Sequence, residues 1–193
     1  MFFKIFWILR AVLYKPFFGS FGFPSYIGKP IFIQNFHRIF ISKRVRIFPY
    51  CRMEVIYPTA SIVIEPNVSI GQNFHIISGR ELIIGKNTTI SANVFITNIN
   101  HEFREIDKHI LDQPLLAKDT IIGENCFIGY GVVIQAGTIL GKQCIVGANA
   151  VVRGEFPDYC VIVGIPAKIV KRYDVITKEW KKTDAKGNFR YEI

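Results

Sequence analysis

The sequence lacks the spacings that mark a metal site or a disulfide framework. Its four cysteines stand at Cys51, Cys126, Cys144 and Cys160, and no CxxC or cysteine–histidine ligand spacing connects them. We therefore expect no metal. We expect reduced thiols inside a cytoplasmic protein.

A nucleic-acid-binding module is also lacking. The formal net charge of +9 would suit nucleic acid, an anionic membrane surface or a phosphorylated ligand. However, the basic residues are not interleaved with stacking aromatics, and no helix-turn-helix or finger spacing occurs. We therefore expect no nucleic-acid partner.

No apolar run is long enough to span a bilayer. The N-terminal stretch is apolar, but Lys4, Arg10 and Lys15 interrupt it, and no signal-peptide cleavage pattern follows. We predict an N-terminal helix within residues 1–22. Two interpretations stay open: residues 1–18 lie on a membrane surface, or the helix covers the open end of the core.

What the sequence does contain is a period of six. Branched aliphatic residues recur at this spacing in three runs: Ile64, Ile70 and Ile76; then, after a slip of two, Ile84, Ile90 and Ile96; and, further on, Ile122, Ile128, Ile134, Leu140, Val146 and Val152. An α-helix would space them by three or four, and a sandwich would need longer strands. The triplets that follow, such as "GKN" and "GAN", contain residues that tolerate positive φ and therefore predict turns.

Strand and turn repeated three times close a triangle, so the sequence predicts an all-β fold, a three-sided parallel β-helix over residues 23–170. Cys126 and Cys144 are one coil apart and should stack inside it, about 4.8 Å from each other. The helix should end near Pro157, with "VIVGIPAKIV" as its last strand. A charged tail with a short helix should occupy 171–193.

The period stops at His101. Residues 102–119 fit no hexad, and long irregular loops within compact domains usually serve a function. We expect this loop to leave a corner of the prism immediately after His101. That histidine is either a reactive residue at the base of the loop or an ordinary exposed one.

Beyond the period, "INHEF" and the run from "TIIGENCFIG" to "VGIPAKIVKRY" resemble the hexapeptide-repeat acetyltransferases, above all the bacterial sugar O-acetyltransferases of lipopolysaccharide and capsule biosynthesis. The resemblance covers about residues 60–175. It implies a left-handed β-helix and a homotrimer with active sites between subunits. It also implies acetyl transfer from acetyl-CoA to a hydroxyl, with His101 as the catalytic base. Ile99 stands where many polysaccharide members have a second histidine.

The resemblance also places residues beside the pantetheine arm of the coenzyme. Phe127 stands where the family usually has tryptophan, keeping an apolar wall without the indole donor. Gly129 and Ala148 match small residues that let the arm approach the backbone. Tyr130 occupies another small-residue position, which is a departure from the family pattern.

Further coenzyme contacts are implied toward the C-terminus. Arg153 and Gly154 match a pair that meets the coenzyme, and Lys168 and Lys171 match basic residues near its phosphates. Lysine offers phosphate a point charge without the fork of arginine. The alternative is that both lysines, with Arg172, form a solvated charge cluster.

Acceptor residues do not carry over from the family. Asn98 and Asn100 are close to His101 in sequence and could bind hydroxyls or shape the turn. His75 is a further candidate for acceptor binding, or an ordinary surface histidine.

With the resemblance, these features imply a cytoplasmic enzyme that acetylates a sugar hydroxyl of a bacterial surface polysaccharide or its precursor; peripheral contact with the inner face of the membrane through residues 1–18 stays one of the two open interpretations of the N-terminus. Two other functions stay open. One is a non-catalytic β-helix that serves assembly or binding. The other is a zinc lyase of carbonic anhydrase type, which needs three converging histidines, whereas His101 and His109 are eight residues apart.

Overall fold

The computed structural model describes residues 3–190 as one N-terminal helix followed by stacked coils of short strands. Helix α1 spans Phe3–Tyr14. The first four coils contain β1 Ser20–Phe21, β2 Tyr26–Ile27, β3 Phe32–Gln34, β4 Ile39–Ile41, β5 Arg46–Ile47, β6 Arg52–Val55, β7 Ser61–Ile64, β8 Ser69–Ile70, β9 His75–Ser78, β10 Glu81–Ile84, β11 Thr89–Ile90 and β12 Phe95–Thr97. After a hairpin of β13 Ile99–His101 and β14 Leu115–Ala117 come β15 Thr120–Ile122, β16 Phe127–Ile128, β17 Val133–Ile134, β18 Ile139–Leu140, β19 Ile145–Val146, β20 Val151–Val152, β21 Glu155–Phe156, β22 Cys160–Gly164, β23 Ala167–Asp174 and β24 Glu179–Lys182. Short 3₁₀ helices span Phe36–Arg38 and Ile110–Asp112.

The strands form three parallel sheets, one for each side of a prism. Sheet A contains β1, β4, β7, β10, β15, β18 and β21; sheet B begins β2, β5, β8, β11, β16, β19, β22; sheet C contains β3, β6, β9, β12, β17 and β20. Each strand pairs in parallel with the equivalent strand of the next coil, as Ile84 does with Ile122 across β10 and β15. The predicted three-sided parallel β-helix is therefore confirmed.

The corners follow the predicted turn chemistry. The third residue of the corner triplets has positive φ, as at Asn87 (61°), Asn125 (58°) and Gly131 (68°). The glycine that opens a triplet has another role, because the next coil lies directly against it. A Cβ on Gly85 would lie 2.6 Å from the carbonyl carbon of Gly123 and 2.7 Å from the amide nitrogen of Glu124.

The core is a set of stacked inward-facing side chains. Ile64, Ile84 and Ile122 are in register across three coils and are fully buried. The predicted stacking of Cys126 and Cys144 is confirmed by the pairing of β16 with β19. Cys160 extends the same column through β22. Contact with Cys144 and burial both raise the pKa of the Cys126 thiol, and all three thiols of this column are buried.

Helix α1 covers the N-terminal end of the prism. This confirms the interpretation that the apolar N-terminus covers the open end of the core. Ala11 is buried, and the Trp7 ring lies 5.4 Å from Phe48, between ring centroids. The helix ends at Tyr14 and the first strand begins at Ser20. Residues 1–2 of the predicted helix lie outside the described residues, and no helix within 3–190 is long and apolar enough to cross a membrane.

The C-terminal prediction was wrong in two respects. The "VIVGIPAKIV" segment forms two strands, because the chain reverses after Gly164 and β23 pairs antiparallel with β22. The expected short helix does not occur in the tail up to residue 190, where β24 pairs antiparallel with β23 instead. Main-chain pairing thus continues sheet B beyond the last coil, which explains why a charged segment stays ordered as strand.

Coil-on-coil contact at the glycine corners makes a direct prediction. Gly85→Ala should lower the free energy of unfolding by roughly 1–3 kcal/mol, since its Cβ must displace the backbone of the next coil. Urea unfolding followed by circular dichroism measures the change. Ser91→Ala is the matched control, because Ser91 opens the "SAN" triplet and already carries a Cβ; it should change stability by less than about 0.5 kcal/mol. Equal losses in both variants would contradict this account of the corners.

Candidate active site

A two-stranded hairpin projects from one edge of sheet C and carries His101. β13 and β14 pair antiparallel, with His101 opposite Leu115 and Ile99 opposite Ala117. The chain leaves sheet C after Thr97, at Asn98. The expectation that the loop leaves the prism after His101 was therefore wrong. Because β13 pairs with β14, the chain already projects from the prism at Ile99, and His101 lies on the projecting hairpin.

Asn98 fixes the base of this hairpin. It is fully buried, its Oδ1 accepts a hydrogen bond from the Gly79 N–H at 2.7 Å, and its Nδ2 donates to the Ser78 hydroxyl and the Glu81 carbonyl at 3.3 Å. Its amide is therefore committed to protein groups. The sequence left two roles open for Asn98, hydroxyl binding and shaping of the turn; its hydrogen bonds fit the second.

The far end of the hairpin is held by two buried polar side chains that sequence reasoning missed. The Glu102 carboxylate accepts from the Phe103 and Arg104 N–H groups and pairs with the Arg104 guanidinium, which is the main reason that its pKa falls to about 2. The Gln113 amide bonds to the backbone of Glu105 and Lys108. These contacts order the residues that fit no hexad, and no periodic signal in the sequence foretells them.

Between the hairpin and the outer face of sheet C lies a groove of about 430 Å³. His101 and Asn100 line it together with mostly apolar side chains: Ile56, Ile77, Phe95, Thr97, Ile99, Leu115, Val133 and Gln135. His101 is exposed, so its imidazole is open to a ligand. The groove thus offers one titratable side chain against a largely apolar wall, the composition typical of small-molecule sites.

Next to the groove on the same sheet face is an ion cluster centred on Glu54. The Arg52 guanidinium donates two hydrogen bonds to the Glu54 carboxylate, at 2.7 and 3.0 Å. His75 Nε2 lies 2.9 Å from the same carboxylate, and its ring lies 5.0 Å from that of Phe95. His75, a predicted acceptor contact, therefore lies beside the groove with one nitrogen already engaged. The pairing of Arg52 with Glu54 was missed, although their spacing of two puts both on one face of β6.

Four predicted coenzyme residues lie along sheet B and its corner with sheet C. Phe127 is exposed on β16, and Tyr130 and Ala148 occupy successive coils at the corner. The Tyr130 hydroxyl accepts a hydrogen bond from the Asn93 amide. Gly129 is buried, and a Cβ there would lie 2.7 Å from the Ala148 nitrogen. Its small size is therefore required by coil stacking, whatever it also contributes to a ligand.

The remaining predicted coenzyme residues fall into two places. Lys168 and Lys171 are exposed on β23, which extends sheet B at its C-terminal end. Arg153 and Gly154 follow β20, so they lie at the edge of sheet C that also carries His101. One chain therefore places His101 and most of its predicted coenzyme residues at opposite edges of sheet C. About five residues at 3.3 Å each separate these edges, on the order of 15 Å.

Comparison with known proteins agrees with this architecture. A family model described as bacterial transferase hexapeptide (six repeats) matches residues 119–154. The chain is 38% identical over 130 residues to the putative lipopolysaccharide biosynthesis O-acetyl transferase WbbJ of Escherichia coli K12; the alignment covers 63% of this chain and 65% of that relative, just under two thirds. It is 30% identical over 141 residues to the putative acetyltransferase YJL218W of Saccharomyces cerevisiae, covering 64% of this chain and 71% of the relative.

The same fold occurs in solved structures. AntD from Bacillus cereus, an N-acyltransferase crystallised with dTDP and 3-hydroxybutyryl-CoA, superposes with a TM-score of 0.74 at 20% identity, over 87% of this chain and 90% of that one. The chain belongs to the bacterial hexapeptide-repeat transferase family. Within that family, the relatives named above are described as acetyltransferases, which confirms the resemblance found in the sequence.

The Glu54 cluster predicts a pH-dependent contribution to stability. The hydrogen bonds from Arg52 lower the pKa of Glu54 below its ordinary value of 4.5, so the charged form stabilises the fold. Glu54→Gln should cost about 1–2 kcal/mol at neutral pH. The stability difference between the two proteins should shrink as the pH falls below 4.5. It should vanish below the lowered pKa of Glu54, where the glutamate of the wild type is as neutral as the glutamine of the variant. Urea unfolding of both proteins across this range measures the difference; a pH-independent gap would contradict the ionic origin.

Proposed function

We propose that the protein is an acetyl-CoA-dependent O-acetyltransferase that acts on a sugar hydroxyl of a bacterial surface polysaccharide or its precursor. The observation that carries the proposal is the exposed imidazole of His101, held by a paired strand over an apolar groove. The similarity to a putative lipopolysaccharide O-acetyl transferase supports the acceptor class. The fold shared with an acyltransferase crystallised with an acyl-CoA supports the donor class.

In this reaction His101 serves as general base. Its imidazole takes the proton of the acceptor hydroxyl while that oxygen bonds to the carbonyl carbon of the thioester. The tetrahedral oxyanion then expels the thiolate, and the imidazolium returns the proton to sulfur, giving an acetyl ester and free coenzyme. No covalent protein intermediate is required, and all four cysteines are buried.

The residues on sheet B suit the donor. The exposed ring of Phe127 gives an apolar surface for the pantetheine arm. Among the residues that the structure describes, Lys168 and Lys171 have no carboxylate within 4.0 Å. Their positive charges are therefore not compensated by a neighbouring carboxylate, and the comparison of donors described below separates phosphate binding from a solvated charge cluster.

We further propose that the enzyme is a cyclic homotrimer whose sites form between subunits. Because His101 and the Phe127–Tyr130 segment lie at opposite edges of sheet C, one chain does not gather the whole constellation. A rotationally related neighbour would set its sheet B edge against the His101 hairpin. Each site would then use one chain for the base and another for most of the coenzyme contacts.

His101→Ala should lower kcat for acetyl transfer by roughly 10²–10⁴, the usual contribution of a positioned base. KM for acetyl-CoA should change little, because the imidazole acts on the acceptor proton. Thiol release with a panel of sugar and amino-sugar acceptors measures the rate. His109→Ala is the control: its Nδ1 accepts the Leu111 N–H at 3.2 Å, outside the groove, and turnover should stay normal. Near-normal turnover of His101→Ala would remove this residue from the mechanism.

The two lysines predict a donor-specific defect. Lys168→Gln with Lys171→Gln should raise KM for acetyl-CoA about tenfold, roughly 1.4 kcal/mol, and should leave kcat unchanged. Acetyl-pantetheine has no nucleotide phosphates, so its KM should be the same with the variant and the wild type. Lys178→Gln, exposed in the turn after β23, serves as a control of equal charge type. An equal rise in KM for acetyl-CoA and acetyl-pantetheine would contradict phosphate binding and would indicate that the two lysines have a structural role.

A further inference from the structure

The net positive charge of the protein comes from one end of the chain. Residues 1–53 contain nine lysines and arginines and no aspartate or glutamate. From residue 54 onward, fifteen basic residues are matched by fifteen acidic ones. Because β6 also carries Glu54, α1 and the first two coils hold a net charge of +8 out of the total of +9, at the N-terminal end of the prism.

Within the part of the chain that the structure describes, this charge is paired with a carboxylate at one residue only. Lys4, Lys15, Lys29, Lys43 and Arg44 have no carboxylate within 4.0 Å. The arginines whose side chains are partly buried donate to neutral groups instead, as Arg10 does to the Ile27 carbonyl and Arg46 to Asn67, and only Arg52 pairs with a carboxylate. The N-terminal end is therefore a strongly cationic surface.

The outer face of α1 is apolar as well as unpartnered. The helix packs on the first coil through Trp7, Ala11 and Tyr14. The side chains on its other faces are exposed and large: Ile5, Phe6 (67% exposed), Ile8, Leu9, Val12 and Leu13 (70%). Spacings of three and four place Phe6, Leu9 and Leu13 along one stripe. Such a stripe is not explained by the cap that α1 makes on the core.

The apolar stripe continues directly into basic surface. A hollow beside α1 is lined by Ile8, Phe23, Arg44 and Arg46, and Phe23 is 77% exposed at its rim. On another side, Lys15 and Lys43 line a second shallow depression below the end of the helix. Apolar side chains and lysines or arginines thus alternate around one end of the molecule.

We propose that this end, formed by α1 and the first two coils, docks on an anionic lipid bilayer. The stripe of α1 would enter the boundary between headgroups and acyl chains, and the surrounding basic residues would contact the anionic headgroups. A second copy is a poor occupant, because self-association through this end would bring together two surfaces that each carry a net charge of +8. A nucleic acid offers no apolar surface to match the stripe.

The apolar stripe of α1 and the basic pair Lys43 and Arg44 lie outside the His101 groove. His101 follows the fourth coil, and none of these residues lines the groove. Lipid binding can therefore be measured without reference to acetyl transfer, and failure of either proposal leaves the other intact.

Co-sedimentation of the full-length protein with vesicles tests the proposal. Vesicles of phosphatidylcholine with about one third phosphatidylglycerol should bind it, and pure phosphatidylcholine should bind it at least tenfold more weakly. Lys43→Gln with Arg44→Gln should weaken binding to the anionic vesicles roughly 25-fold, about fivefold per charge. The control pair Lys178→Gln with Lys186→Gln removes two exposed charges near the opposite end and should have no effect.

A second pair of variants tests the apolar half of the surface. Leu9→Ser with Leu13→Ser should weaken vesicle binding at least tenfold and leave the thermal unfolding midpoint unchanged, because both side chains are exposed. Sedimentation velocity on the same variant reports the oligomeric state. Three results would overturn the proposal: no binding to anionic vesicles, an equal loss in the control pair, or a change of oligomeric state in the leucine variant with vesicle binding intact.

Discussion

Close stacking of coil on coil is the constraint on which the rest of this structure depends. Successive coils approach so tightly at the corners that Gly85 and Gly129 have no room for a Cβ. The turns also need positive φ, which asparagine and glycine supply at little cost. Because every coil repeats this geometry, each outward side chain falls into a fixed column on one of three flat sheets.

The candidate site is an interruption of this regular frame. A hairpin inserted at one corner projects over sheet C, and the buried amide of Asn98 fixes where it starts. The rigid sheet supplies one wall of the groove, and the hairpin supplies the other wall and carries His101. The proposed function thus depends on a single non-repeating element, positioned by the repeat beneath it.

The sequence predicted well whatever the period of six determines. It gave the three-sided parallel β-helix, the corner turns and the stacking of Cys126 with Cys144, because each follows from a local spacing. It did not predict that β13 pairs with β14, which moved the exit of the chain to Asn98. That pairing joins residues about fifteen apart with no shared period. The antiparallel β23 was missed for the same reason, since its partner strand is set by tertiary structure. The pairing of Arg52 with Glu54 was missed although its signal is local, a spacing of two along one strand.

The central claim is that one chain supplies the base and its neighbour supplies the coenzyme surface. Subunit mixing tests it most directly: His101→Ala chains are co-expressed with Ala148→Trp chains, in which a bulky side chain blocks the exposed corner of sheets B and C. Each variant alone should be inactive. With random assembly into a ring, one site in four combines an intact base with an intact coenzyme surface, so mixed oligomers should recover roughly a quarter of wild-type activity. Mixed oligomers no more active than either parent would contradict a shared site.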